Sequence, residues 1–167
     1  MPESLCFYPR RSFHWRHRQN IRRRVLSLSG EEFINNDEVV LWFMSLVKEY
    51  KIFPLQIGYD RYSSQYLVND MKEYGFHMDD VFQGENLTPV IHECDGLLRD
   101  KTLQLGTNNL LKAHFLNVGM KQNEETRKIR PVKIDPRCHI DGFVAVIDAL
   151  TVRQKWYDQI GEQLRNK

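Results

Sequence analysis

Two acids in this chain stand where a carboxylate could work on a phosphodiester. Asp60 follows the short apolar run Leu55-Gln56-Ile57-Gly58-Tyr59, at the C-terminal end of an expected strand, and Asp141 opens a helix in His139-Ile140-Asp141-Gly142. Carboxylates on a strand end and on a helix packed beside it can share hard divalent cations, as two-metal phosphodiester cleavage requires. Each position also has a plainer reading, Asp60 as a turn residue at a strand-to-helix junction and Asp141 as a cap favoured by the helix macrodipole. Spacing alone does not bring the two together. Asp148 lies on the same helix face as Asp141 but two turns on, about 10 Å along the axis, so these two are not expected to share one ion. Asp135, Asp79 and Asp80 read as solvated loop or strand-edge acids. Lys133 and Arg137 precede Asp141 and would put positive charge close to a bound phosphodiester, or simply serve solubility. Signatures of other chemistries are absent, with no G-x-x-x-x-G-K-[ST] loop, no H-E-x-x-H and no G-x-S-x-G. Cys6, Cys94 and Cys138 are far apart and lack zinc-site spacing, so reduced thiols are expected.

The elements that must position these acids are legible as a pattern. Val25-Leu26-Ser27-Leu28-Ser29 alternates as a half-buried strand does. Asn35 and Asn36 can cap a helix whose apolar residues Val39, Val40, Phe43, Leu46, Val47 and Tyr50 repeat at three and four. The strand ending at Asp60 is followed by Ser63 as a cap, a helix through Leu67, Met71 and Tyr74, and Gly75 as a left-handed stop. Phe76 to Phe82 is a further strand, and Thr88-Pro89 begins a helix, the threonine hydroxyl as its cap. A brief extended piece is expected at Thr102 to Leu105, a helix over Leu110 to Val118, and an exposed hairpin or loop over the basic stretch 121–137. Phe143, Ile147, Leu150, Tyr157, Ile160 and Leu164 then give a long last helix from about residue 141. Strands alternating with helices predict an α/β layer structure.

The chain has 167 residues, enough for one domain and one core, and its 41% hydrophobic and 28% charged residues exclude a collagen, a coiled coil throughout and a wholly disordered chain. No apolar run approaches the roughly 18 residues of a membrane helix, and no secretory h-region is present, so a soluble intracellular protein is expected. The net charge of +2 conceals an asymmetry: residues 1–24 hold seven Arg against one acid, Glu3, while residues 25–167 hold 17 basic and 21 acidic residues. The segment from Arg10 to Arg24 mixes guanidinium groups with Phe13, His14, Trp15 and His17 and has no period. It reads as an arm, either gripping phosphates with its aromatics packed alongside or merely solvated.

Taken in order, Ile57-Gly58-Tyr59-Asp60-Arg61-Tyr62 with its helix, Phe82-Gln83-Gly84, Leu110-Leu111-Lys112-Ala113-His114-Phe115-Leu116-Asn117-Val118, Pro131-Val132-Lys133 and Ile140-Asp141-Gly142-Phe143-Val144-Ala145 resemble the nuclease domain of tailed-bacteriophage terminase large subunits. The resemblance covers about residues 25–152, leaving 1–24 as a basic N-terminal arm and 25–167 as the nuclease domain. It implies a ribonuclease H-like α/β fold, a mixed sheet flanked by helices, and a metal-dependent endonuclease that cuts concatemeric DNA during genome packaging. It also implies Mg2+ or Mn2+ in a two-metal site, with Asp60 matching the acid of the family's Y-D motif and Asp141 that of its I-D-G motif, both catalytic and both metal ligands. Lys133, Arg137, Arg61 and Arg130 are the expected nucleic-acid contacts, and Gln83 and Asn117 match polar positions without an assigned role.

The implied partners are double-stranded DNA, the terminase small subunit, the portal and an ATPase motor, in the cytoplasm of a bacterial host, with no membrane. Two departures qualify this. The family's motor and its P-loop are absent, so this chain is not expected to translocate DNA alone. The family's opening strand carries a first acid, and residues 1–24 offer only Glu3, so that ligand and the opening strand are expected to be missing, with impaired metal binding and an exposed sheet edge. The alternatives are a catalytically inactive DNA-binding or packaging module and a prophage remnant.

Overall fold

In the computed structural model, residues 6–9, 26–29, 32–62 and 65–165 are described. The arm residues 10–24, Glu3 and the Ser63 cap lie outside them. The element order is β1 (Cys6–Pro9), β2 (Leu26–Ser29), α1 (Asn36–Lys48), β3 (Ile57–Asp60), α2 (Gln65–Glu73), β4 (Met78–Val81), α3 (Thr88–Arg99), α4 (Asn109–Leu116), β5 (Val118–Gln122), β6 (Ile129–Lys133) and α5 (Asp141–Arg165). Among the described residues the strands form three two-stranded ladders, β1–β2 and β3–β4 parallel and β5–β6 antiparallel. Strand β1 falls inside the stretch read as an arm and contains no acid.

Local chemistry explains most boundaries. Asn35 caps α1 by accepting the Asp37 N–H (3.0 Å), because its short amide reaches a first-turn donor that has no helical partner. Gly75 ends α2 at φ +89°, a conformation costly to any side chain, and Phe76 N–H returns to the Met71 carbonyl (3.0 Å). Thr88 behaves otherwise than expected. No side chain caps α3; the Thr88 hydroxyl accepts the Ile129 N–H (2.9 Å) and lies 2.7 Å from the Glu85 carbonyl, tying α3 to the β5–β6 hairpin. Thr102 to Leu105 is bends and irregular chain rather than extended structure, and no strand among the described residues pairs with it. The basic stretch is a hairpin, with Val118 opposite Lys133 and Gln122 opposite Ile129.

Among the described residues, two apolar clusters hold the elements together. The larger joins α3 and β4 to the buried face of α5 through Val81, Ile91, Cys94, Phe143, Ile147 and Leu150, while the smaller packs Val40, Met71 and Phe76 under α1 and α2. Helix α5 is the organising element: it lies across β3 so closely that a Cβ at Gly58 would stand 2.8 Å from the Asp148 carbonyl oxygen and 2.7 Å from Val152 Cγ2. That approach fixes how near the helix acids come to the end of β3. Asp79 of β4, nearly buried, accepts hydrogen bonds from Trp156 Nε1 (2.6 Å) and Lys155 Nζ (2.8 Å) and pins the helix from the other strand. No helix among the described residues is long and apolar enough to cross a membrane.

Candidate active site

Asp60 and Asp141 line one cleft of about 610 Å³, together with Gln83, Arg130 and Asp148. The parallel register of β3 on β4 puts Asp60 opposite Val81, at the end of the ladder where the chain turns toward α2. One oxygen of Asp60 accepts the Tyr62 N–H (3.0 Å), so the turn role foreseen for it is present alongside its place in the cleft. Asp141 stands in the first turn of α5 with its side chain 70% exposed, and its Oδ2 lies 3.2 Å from His139 Nδ1, which donates when it carries the proton.

Asp148 is the residue whose environment the sequence did not disclose. It is 6% exposed, Gln83 Nε2 donates to its Oδ1 at 2.7 Å, and burial, together with the neighbouring charge of Asp60, pushes its carboxyl up to about 6 against the opposing effect of that hydrogen bond. The expectation that it stands apart from Asp141 rests on their separation along one helix, which the helix keeps; it leaves out β3, which brings Asp60 into electrostatic reach of Asp148. The signal available in the sequence was Gly58, two residues before Asp60, a position without a side chain in a strand that a helix must cover. Gln83 and Asn117 also acquire contacts: Gln83 holds Asp148, and Asn117 Nδ2 donates to the His139 carbonyl (3.1 Å), bracing the approach to Asp141.

The four cationic candidates divide in two. Arg61 is paired with Asp80 through Nε (2.7 Å) and Nη2 (2.5 Å), and its guanidinium lies 5.5 Å from the centre of the Phe82 ring. The same ion pair holds the Asp80 carboxyl below its ordinary range. Arg137 grips Asp135 with two nitrogens (2.7 and 3.1 Å), which lowers the Asp135 carboxyl and raises the guanidinium. Arg130 and Lys133, both exposed on β6, have no carboxylate partner among the described residues, and Arg130 lines the cleft. Asp79, Asp80 and Asp135 each engage a cation of their own, and none of them lines the cleft. A neighbouring apolar groove of about 560 Å³ between β3, α1 and α5 has no carboxylate in its lining, in contrast to the first cleft.

The family model described as "Terminase large subunit, endonuclease domain" matches residues 18–155. No curated protein matches the chain. The crystal structure of the HK97 bacteriophage large terminase superposes with a TM-score of 0.72 at 15% identity, over 86% of this chain and 32% of that one. The fold is therefore the ribonuclease H-like α/β arrangement, and the chain spans about a third of that terminase. With the family model covering most of its length, the chain belongs to the terminase large subunit endonuclease domain family.

Proposed function

We propose that the chain is a metal-dependent DNA endonuclease domain that cuts concatemeric DNA during phage genome packaging. The observation that carries this reading is the meeting of Asp60 and Asp141, far apart in sequence, in one cleft beside Arg130. The donor set is tested by its chemistry. Among the described residues no group of three or more His, Cys, Asp or Glu side chains is arranged to hold an ion. Mg2+ does not require one, because it keeps several waters and binds through one or two carboxylates plus substrate phosphates, and the carboxylates of Asp60 and Asp141 fit that demand. Mn2+ accepts the same hard oxygen ligands.

When bound, a divalent ion there supplies Lewis-acid charge at the scissile phosphate and makes the attacking water acidic. Asp60 and Asp141 are the residues that would hold it. Arg130 and Lys133 bind the flanking phosphates, while Arg61 and Arg137, already neutralised by carboxylates, contribute less to DNA affinity. His139 orients the Asp141 carboxylate, and Gln83 fixes Asp148 at the floor of the cleft. The partners that follow are double-stranded DNA, an ATPase motor part, the small subunit and the portal, in the host cytoplasm.

A second reading, DNA binding without cleavage, draws on the exposed cations Arg130 and Lys133 of β6, whose contact with phosphates needs no ion. Supercoiled plasmid with Mg2+ or Mn2+, the Asp60→Asn and Asp141→Asn variants and a chelator control separate the two. Nicking or linearisation by the wild type that either substitution abolishes supports the nuclease; binding that persists with chelator, with no cleavage in any ion, transfers the chain to the second reading.

A further inference from the structure

We infer that His114 is a positioning residue for Asp141, acting through the backbone of the first turn of α5. The inference rests on the proposed role of Asp141 as a metal ligand. Asp141 is 70% exposed, so packing cannot hold its carboxylate in place, and its position relative to Asp60 depends on how firmly the start of α5 is anchored. The anchor is a histidine. His114 of α4 is 2% exposed, and its Nδ1 accepts the N–H of Gly142, the residue after Asp141, at 2.8 Å in a buried contact.

That N–H belongs to the first turn of a helix, where no backbone carbonyl is available to accept it. Accepting it requires an unprotonated Nδ1, hence a neutral ring with its proton on Nε2. Gly142 is what lets the ring come so close, since a Cβ there would stand 2.9 Å from His114 Nδ1 and 2.8 Å from Leu111 Cδ1. A second strut runs from the same helix end, where Asn117 Nδ2 binds the carbonyl of His139, whose ring faces Asp141. Helix α4 and its C-terminal cap Asn117 thus hold the chain on both sides of Asp141, one contact before it and one after. A histidine that merely filled the core would need no acceptor aimed at this amide.

The test compares His114→Leu, which removes the acceptor, with His114→Asn, whose side-chain oxygen reaches the place of Nδ1. Mn2+ binding by the full chain without DNA is measured by calorimetry, beside thermal unfolding and steady-state plasmid cleavage. His114→Leu is expected to weaken Mn2+ binding about tenfold or more, the range seen when a group supporting a metal ligand is lost, and to lower kcat with the KM for DNA unchanged. His114→Asn is expected to restore both to within about threefold, on the same grounds. If His114→Leu does not fold, His114→Gln, which moves the acceptor to the place of Nε2, replaces it with the same expected loss. Wild-type Mn2+ affinity in the acceptor-less variant, or equal loss in His114→Asn, overturns the inference. Asp141→Asn separates the two levels: if it leaves Mn2+ binding unchanged, the metal role of Asp141 falls and that of His114 with it, whereas if it weakens binding and His114→Leu does not, only the inference falls.

Discussion

Replacing Asp148 by Asn should make the folded chain more stable at neutral pH and leave it unchanged in acid. The carboxyl is raised to about 6 from an ordinary value of 3.8, first because burial penalises its charge and then because Asp60 repels it, the Gln83 hydrogen bond offsetting part of this. Each unit of difference between folded and unfolded values corresponds to about 1.4 kcal/mol, so ionising Asp148 costs the native state about 3 kcal/mol at pH 8. The sign follows from which state ionises first. Well below pH 3.8 the group is neutral in both states and costs nothing; between 3.8 and about 6 the unfolded chain ionises first and stability falls as pH rises; above about 6 both states are charged and the loss levels off.

Asparagine keeps the shape and can still accept from Gln83, without the charge. Urea unfolding of wild type and Asp148→Asn in EDTA, at intervals from pH 4 to pH 8, gives the difference directly and cancels the other titrating groups. The variant should gain about 2–3 kcal/mol at pH 8, shrinking to about 0.5 kcal/mol at pH 4. A pH-independent difference, or a variant less stable at pH 8, would refute the claim that this buried carboxylate is held against its own solvation.

Gly58→Ala should cost about 1–3 kcal/mol in urea unfolding, the usual range for overpacking, because the added Cβ meets the Asp148 carbonyl 2.8 Å away and a helix backbone cannot yield as a side chain can. Unchanged stability would show that α5 is not held at this distance. Asp79→Ala leaves the indole N–H of Trp156 without its acceptor and should lower stability by about 1–2 kcal/mol, the cost of an orphaned donor; thermal unfolding monitored by tryptophan fluorescence reports it. Arg130→Ala and Lys133→Ala should each flatten the salt dependence of DNA affinity by about one unit of slope. Arg61→Ala should change that slope less, because its charge is already shared with Asp80, and fluorescence anisotropy from low to high salt distinguishes the two groups.

Much of the architecture was written locally. Asn35, Gly75 and the three-and-four spacing of α1 and α5 set helices through interactions spanning a few residues, and these appear close to where the pattern puts them. The order of strand, helix and acid also singled out Asp60 and Asp141 as candidates by motif. What the sequence did not disclose depends on partners far along the chain. The Thr88 hydroxyl serves a strand 41 residues away instead of its own helix, and Arg61 is met by Asp80 across the β3–β4 ladder.

Asp148 is the clearest case. Its spacing from Asp141 described one helix correctly and predicted nothing about Asp60, because their nearness is made by α5 settling on the bare backbone of Gly58. Residue type and period determined which groups could do chemistry and on which elements they ride. Tertiary packing alone decided the distances between those elements and how much water each group lost, and electrostatic energy depends steeply on both.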